Sequence, residues 1–231
     1  MKNNIFDKIT PKEAIEMQKE LRAKVRLVPL KKDIKLIGGA DVSMNLFSTF
    51  GFAGFVTLSF PELSLVDHSV VKDDIPFPYI PGLLSFREIP MLLKAWAKLK
   101  QKPDVIVVDG IGIAHPRRLG IATHLGLLLG VPTIGVAKSV LTGVYEEPGN
   151  RPGDISYLHD KYDAEEIIGA ALRVKPDVKP IFISPGHLIT LAESIEIIKN
   201  CLRKHKLPEP TRLAHNTVNA YRLEHLRKNE V

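Results

Sequence analysis

Two short apolar runs in the middle of the chain constrain its fold more than any other feature. Residues 104–109 and 132–137 have the pattern of buried strands, and residues 119–130 between them have a helical pattern. A strand, a helix and a second strand joined by short links are typical of a parallel βαβ unit. We therefore expect part of the core to be a parallel sheet.

The segments on either side of this unit indicate how the sheet continues. Three strand-like runs precede it, and their short loops predict an antiparallel meander over residues 36–44, 52–60 and 63–72. Helices are predicted at residues 10–24, 86–100, 190–205 and 211–227, and a further strand at residues 180–184. This order predicts an α/β fold whose mixed sheet combines the antiparallel meander with parallel βα units and has helices on both faces. The ribonuclease H-like fold has this order, but other folds share it, so function has to be argued from the site.

Composition narrows the classes of protein that the chain can belong to. Its 231 residues contain no repeat and no long linker, so residues 1–231 are expected to form a single domain. A net charge of +6 favours an anionic partner, of which nucleic acid is the commonest. The lone cysteine, Cys201, excludes a disulfide framework and a cysteine-based zinc site. Because no apolar leader or membrane-length run is visible, we expect the protein in the cytoplasm.

Three acidic residues are candidates for a functional site, and each also has a structural interpretation. Asp41 lies in an otherwise apolar strand, where it either binds a partner or a metal or faces solvent from an edge strand. Asp109 ends a buried strand, where ligand sites gather in open α/β sheets, although an Asp before Gly110 also suits a turn. Glu88 follows Ser85 at the spacing of a helix capping box, which does not exclude a role in a site.

The distribution of charge favours the site interpretation. No Asp or Glu occurs between Asp109 and Glu146, and that stretch contains His115, Arg117, Arg118, His124 and Lys138. Isolated acids among basic segments suit an enzyme that cuts phosphodiesters, because carboxylates hold a hard divalent cation and basic side chains hold the polyanionic nucleic acid. Lys138, at the end of a strand, can neutralise charge that develops on the phosphate in the transition state.

A dinucleotide site is the alternative for the segment that begins at Asp109, since the sequence Asp-Gly-Ile-Gly-Ile-Ala-His follows a strand. The dinucleotide fingerprint requires a third glycine where this chain has His115, and an acid about 20 residues further on, where the chain has none. A Walker A loop is also absent from the sequence. These differences argue against a nucleotide cofactor.

Seven short motifs over about residues 36–222 carry most of the remaining information. They are Gly-Gly-Ala-Asp41-Val-Ser, Pro78-Tyr-Ile-Pro-Gly-Leu-Leu-Ser-Phe-Arg-Glu88, Val-Asp109-Gly-Ile-Gly-Ile-Ala-His-Pro-Arg117, Gly120-Ile-Ala-Thr-His-Leu-Gly126, Gly135-Val-Ala-Lys-Ser139, Ser184-Pro-Gly-His187 and Pro210-Thr-Arg-Leu-Ala-His215. Each motif alone is modest, but together and in this order they are highly specific. The chain resembles the endonuclease V family, the deoxyinosine-type repair nucleases.

The resemblance implies a role for each polar residue of the site. Asp41 and Asp109 correspond to the principal metal ligands, Glu88 to the third acid, and Lys138 to the phosphate-facing lysine. His215 stands where many relatives have an aspartate, so that it either ligates the metal or orients or activates water. The implied cofactor is Mg²⁺, with Mn²⁺ as the alternative, and the number of ions stays open.

The resemblance also implies a strand-separating wedge and a pocket for a flipped base. A loop stiffened by two prolines carries large apolar groups that suit a wedge: Pro78, Tyr79, Ile80 and Pro81. The pocket, whose glycines let backbone groups approach a base edge, consists of Gly82, Leu84, Gly110, Gly120 and Ile121. The predicted nucleic-acid contacts are His115, Arg117, Ser139 and Arg212.

By this resemblance the chain is expected to be a repair endonuclease that recognises inosine, whose base is hypoxanthine, in nucleic acid. It would hydrolyse the second phosphodiester 3′ to the lesion and leave 3′-hydroxyl and 5′-phosphate ends. The expected partner is inosine-containing DNA, with RNA or single strands as alternatives, and the protein is expected to act as a monomer away from membranes. Two other hypotheses stay open: another ribonuclease H-like nuclease, and a non-catalytic nucleic-acid binder.

Overall fold

The computed structural model of the chain describes residue 6, residues 9–45 and residues 48–228. Its helices are α1 (Pro11–Arg22), α2 (Leu84–Lys98), α3 (Ile121–Leu129), α4 (Leu191–Cys201) and α5 (Glu209–Lys228). Its strands are β1 (Leu36–Ser43), β2 (Phe50–Ser59), β3 (Leu65–Asp74), β4 (Val105–Asp109), β5 (Thr133–Ala137), β6 (Ile155–His159), β7 (Ile167–Leu172) and β8 (Ile181–His187). Every helix and strand that the sequence predicts is present, with ends that differ by a few residues.

The strands of the described chain form one sheet in the order β3-β2-β1-β4-β5-β8-β7-β6. β1 pairs antiparallel with β2, and β2 with β3, as the meander predicts. β4 runs parallel to both of its neighbours, β1 and β5. The mixed sheet and its ribonuclease H-like order are therefore confirmed.

The far side of the sheet differs from the sequence prediction in two respects. Strands β6 and β7 have no clear sequence signal, because β6 is short and largely solvent-facing and β7 contains Gly and Ala, which are weak strand formers. The other difference is that β8 runs antiparallel to β5 and does not continue the parallel βα pattern. A parallel neighbour needs a crossover, usually through a helix, and the described chain forms the β6–β7 hairpin between β5 and β8 instead.

Helices cover both faces of the sheet, as predicted. One buried cluster joins α2 and α3 to the sheet and includes Ile106 and Val108, whereas the other joins α4 and α5 to it and includes Val105 and Val107. Neighbouring residues of a strand point to opposite faces, so β4 is buried on both sides. Asp109 consequently stands at the carboxyl end of a central strand, next to β1.

Helix α5 packs closely against β1. Gly39 faces the start of this helix, and a Cβ atom at Gly39 would overlap the carbonyl oxygen of Pro210. The missing side chain lets the helix backbone rest on the strand backbone. This close approach holds the following turns of α5 over the half of β1 that contains Asp41.

Two further expectations concern the cysteine and membranes. Cys201 is buried in α4 as a free thiol, and burial raises the pKa of this thiol to about 12, which keeps it protonated and unreactive. Within the described ranges no helix is long and apolar enough to cross a membrane. Residues 1–5, where a leader would begin, lie outside the described residues.

Candidate active site

Two of the predicted acids meet at the ends of adjacent parallel strands. Ala40 of β1 pairs with Val108 of β4, so the next residues, Asp41 and Asp109, occupy neighbouring register positions on one face. Asp41 is only 8% exposed. Burial, and then repulsion from Asp109, raise the pKa of Asp41 to about 6. The topology of the central strands therefore brings together carboxylates that are far apart in sequence.

Glu88 reaches the same cluster from helix α2. Burial raises the pKa of Glu88 to about 8, with further contributions from the negative charges of Asp41 and Asp109. Since each of the three carboxylates interacts with the other two, the cluster holds negative charge in a poorly solvated place. Such an arrangement is costly without a compensating cation.

The capping-box interpretation of Ser85 and Glu88 is wrong. Helix α2 begins at Leu84, its N-cap is Leu83, and no side chain caps it. The Ser85 hydroxyl lies instead 3.0 Å from Nδ1 of the buried His124. Glu88 consequently lies one turn inside the helix, where its side chain is free to join the acid cluster.

Two basic side chains bind the acid cluster directly. Nδ1 of His215, on α5, lies 3.1 Å from Oδ2 of Asp41 and counteracts the rise in the pKa of Asp41. Nζ of Lys138, just after β5, donates to Oδ2 of Asp109 at 3.1 Å. About half of the Lys138 side chain is exposed, which leaves it accessible to an anionic substrate.

The donor set suits a hard divalent cation in its chemistry and charge. Carboxylate oxygens are the ligands that Mg²⁺ and Mn²⁺ prefer, and a bound cation would relieve the repulsion that raises the pKa values of Asp41 and Glu88. Among the described residues, no three His, Cys, Asp or Glu side chains already form a group that could hold an ion. The fit therefore rests on charge and donor type.

The raised pKa of Glu88 predicts how pH affects the stability of the metal-free protein. The folded protein holds this proton up to about pH 8, whereas an unfolded chain releases it near the ordinary value of 4.5. Stability should therefore fall as pH rises from about 5 to 8, and Glu88→Gln should flatten this dependence. Thermal unfolding in EDTA across this range measures both proteins.

The exposed Glu20→Gln variant is the control for this measurement and should keep the wild-type pH dependence. If Glu88→Gln loses stability with pH as steeply as the wild type does, Glu88 is not protonated in the folded state.

A cavity of about 260 Å³ adjoins the acid cluster. All five residues predicted for the base pocket line it, namely Gly82, Leu84, Gly110, Gly120 and Ile121. Gly110 directly follows Asp109, and Ser139, which also lines the cavity, directly follows Lys138. The chain thus passes straight from the acid cluster into the cavity wall.

The predicted wedge forms the rim of this cavity. Tyr79, Ile80 and Pro81 line it, and the Tyr79 side chain is 55% exposed although it is large and apolar. Pro78 is exposed on the same loop. An exposed aromatic beside a cavity is available to contact a ligand, which a ring packed in the core would not be.

Three polar side chains converge on one backbone carbonyl below the wedge. The Gly82 carbonyl oxygen accepts from Gln18 Nε2 at 3.1 Å and from Arg117 NH2 at 2.7 Å, and it lies 3.1 Å from Nε2 of His115. Nδ1 of His115 accepts from the Arg117 backbone N–H, so the His115 proton is on Nε2. His115 and Arg117 therefore hold the loop that joins wedge and pocket.

Gln18 is a cavity residue that sequence reasoning missed. It is 1% exposed, lines the cavity, donates to the carbonyls of Gly82 and Leu119, and accepts from Arg117 Nε. The available signal is a polar residue in the buried stripe of the amphipathic helix α1, one turn after Ala14.

Arg212, one of the predicted nucleic-acid contacts, lies away from the cavity lining. Its guanidinium donates two hydrogen bonds to Glu209 within the first turn of α5, at 2.9 and 2.5 Å. A guanidinium already paired in this way has less capacity for a phosphate. Its contact with nucleic acid stays a prediction.

Known proteins are similar to this chain in both sequence and fold. The family model described as Endonuclease V matches residues 19–216. Endonuclease V of Dictyoglomus turgidum is 50% identical over 206 residues, which cover 88% of this chain and 87% of that protein. The crystal structure of endonuclease V from Streptomyces avermitilis superimposes with a TM-score of 0.87 at 38% identity, covering 94% of this chain and 95% of that one.

A further similar structure contains nucleic acid. Endonuclease V of Ciona intestinalis, in complex with a 24-mer DNA containing an inosine followed by a ribo-adenosine, has a TM-score of 0.81 and 31% identity. The match covers 92% of this chain and 98% of that one. Family model, sequence identity and fold agree over nearly the whole chain, which belongs to the endonuclease V family of phosphodiester-hydrolysing nucleases.

Proposed function

We propose that the chain is a metal-dependent repair endonuclease that recognises inosine in DNA. It hydrolyses the second phosphodiester 3′ to the lesion and leaves 3′-hydroxyl and 5′-phosphate ends. The observation that carries this proposal is the direct junction of an acid cluster with a cavity whose rim exposes Tyr79. The Ciona relative in complex with inosine-containing DNA supports the choice of lesion.

The acid cluster supplies the catalytic groups in this proposal. Asp41 and Asp109 would hold the cation, Mg²⁺ with Mn²⁺ as a substitute, and Glu88 is the third acid. When bound, such a cation orients the scissile phosphate, lowers the pKa of the attacking water and stabilises the leaving oxygen. Lys138, half exposed beside Asp109, neutralises charge on the phosphate in the transition state. His215 acts on catalysis by holding the Asp41 carboxylate in place.

The cavity supplies lesion recognition in this proposal. The flipped hypoxanthine enters between Gly82, Gly110 and Gly120, where backbone groups can reach the base edge. Unstacking costs less for a mispaired base such as inosine, so the flip itself contributes to selectivity. His115 and Arg117 act by holding the Gly82 carbonyl, and Ser139 contacts the strand from the cavity wall.

The biological setting is part of the same proposal. We infer that the whole chain acts as one domain and as a monomer in the cytoplasm, on inosine-containing DNA. RNA and single strands are the alternative substrates, and a nicking assay can compare all three.

A nicking assay tests the proposed function. A labelled duplex with one deoxyinosine is compared with its unmodified twin, in Mg²⁺ and in EDTA, beside a single strand and an RNA of the same sequence. The expected result is one Mg²⁺-dependent nick, one nucleotide beyond the inosine. Equal cleavage of both duplexes would instead indicate a general ribonuclease H-like nuclease, and binding without any cleavage would indicate a plain binder.

Replacing Tyr79 should weaken lesion processing without affecting the acid cluster. Tyr79→Ala removes an aromatic surface on which a base can stack, so we expect kcat/KM for the inosine duplex to fall about 10-fold. Steady-state nicking measures this ratio. Tyr162→Ala is the matched control, because Tyr162 is 85% exposed and does not line the cavity. Equal losses in the two variants would mean that the Tyr79 loop is not a wedge.

A further inference from the structure

A chain of hydrogen bonds leads from helix α5 to the acid cluster. Arg222 NH1 donates to Ser43 Oγ at 3.0 Å, and Ser43 Oγ donates to Asn219 Oδ1 at 2.8 Å. Asn219 Nδ2 lies 2.8 Å from His215 Nε2, and His215 Nδ1 lies 3.1 Å from Asp41 Oδ2. This chain of hydrogen bonds ends on Asp41, which has the smallest exposed fraction of the three carboxylates.

The spacing of these residues explains why they meet. His215, Asn219 and Arg222 recur at helical spacing and share one face of α5. Asp41 and Ser43 are two residues apart on β1 and share one face of the strand. Since α5 lies directly on β1, the two rows of side chains interlock.

The hydrogen-bonding capacity of each group determines where the His215 proton lies. An amide nitrogen only donates, so Asn219 Nδ2 donates to Nε2 of His215, and Nε2 must accept. A neutral imidazole then carries its proton on Nδ1, from which it donates to Asp41. Arg222 also donates to Asn45 Oδ1 at 2.5 Å, which anchors the far end of the chain.

We propose that Asn219 is a positioning residue for strand cleavage, which holds His215 in the Nδ1-protonated form and thereby orients the Asp41 carboxylate. The inference rests on the proposed function, in which Asp41 is catalytic. Ser43 and Arg222 serve Asn219 in turn, because the Ser43 hydroxyl holds the amide oxygen and leaves the NH₂ group facing His215.

Asn219→Asp replaces the hydrogen-bond donor that faces His215 by an acceptor and leaves the shape of the side chain nearly unchanged. A carboxylate only accepts, so Nε2 of His215 must carry a proton to pair with it. His215 Nδ1 then either loses its proton and faces Asp41 with a lone pair, or keeps it in an imidazolium held between two acids. In both cases Nε2 changes from acceptor to donor, and the interaction of Nδ1 with the Asp41 carboxylate changes as a result.

The test combines a spectroscopic and a kinetic readout on the full-length protein. ¹⁵N-histidine NMR at alkaline pH, with the His215 signals assigned from their loss in His215→Gln, reports which ring nitrogen carries the proton. We expect Nδ1 in the wild type and a protonated Nε2 in Asn219→Asp. In the nicking assay, kcat of Asn219→Asp should fall about 10- to 100-fold while KM for the inosine duplex changes little.

Asn216→Asp is the matched control, because Asn216 is exposed beside His215 on the same helix and the change in charge is identical. It should leave the His215 tautomer and kcat close to those of the wild type. Ser43→Ala, which releases the Asn219 amide, should lower kcat less than Asn219→Asp does.

The outcomes separate this inference from the proposed function. A wild-type His215 with its proton on Nε2 overturns the inference, whatever the protein cuts. So does an Asn219→Asp variant that keeps wild-type kcat, or one that only loses thermal stability while its tautomer is unchanged. Failure of the wild type to nick inosine DNA overturns the proposed function and leaves the tautomer measurement valid.

Discussion

Asp41→Asn should lower the rate of inosine-dependent nicking by about 10³-fold or more. The variant keeps the size of the side chain and an oxygen that can accept from His215, but it removes a charge that the proposed cation needs. Because Asp41 is buried and repelled by Asp109, neutralising it should not destabilise the metal-free protein. Steady-state nicking in Mg²⁺ and thermal unfolding in EDTA measure the two effects.

Binding to the inosine duplex should survive this substitution. Basic side chains and the cavity, not Asp41, provide the attraction to the DNA strand. The Kd measured in EDTA should therefore stay within about threefold of the wild type. Asp33→Asn is the control, since Asp33 is exposed and makes no side-chain hydrogen bond among the described residues. Wild-type nicking by Asp41→Asn would exclude Asp41 from catalysis and favour a different arrangement of catalytic groups.

Gly39→Ala should lower the stability of the fold and the activity together. The added methyl group would overlap the carbonyl oxygen of Pro210, which is backbone and cannot rotate away as a side chain could. The helix or the strand must shift, at a cost of about 3 kcal/mol, which corresponds to a fall in Tm of roughly 10 °C for a chain of this size. Displacing α5 also separates His215 from Asp41, so kcat should fall even where the protein is folded.

Gly51→Ala tests whether this effect is specific to the contact between α5 and β1. Gly51 is also a strand glycine, but its added methyl group would meet the Met44 Cβ atom and the flexible end of the Met91 side chain, each at 3.2 Å and far less tightly than at Gly39. Its Tm should fall less, and its kcat should remain close to that of the wild type at temperatures where it is folded. Equal losses of kcat in both variants would mean that the position of α5 does not control the acid cluster.

Much of the fold follows from the sequence because it is encoded in local periodicity. The strand-like runs of residues 36–74, the apolar run before Asp109 and the helical patterns of α2 to α5 each lie within a short window. The same windows place Asp41 and Asp109 on predicted strands, and parallel neighbours bring such positions to one edge. Where the local signal is weak, as in the exposed β6, prediction fails.

Residue order alone is enough to predict the succession of helices and strands, the positions of the acids and the motifs of the endonuclease V family. Four features become visible only in the folded chain: the antiparallel direction of β8, the pairing of Ser85 with His124, the burial of Gln18 against Gly82, and the link from Asn219 through His215 to Asp41. Each of these joins residues from different elements. Such contacts depend on how closely helices approach the sheet, as Gly39 allows α5 to do, and no periodicity within one segment encodes that distance.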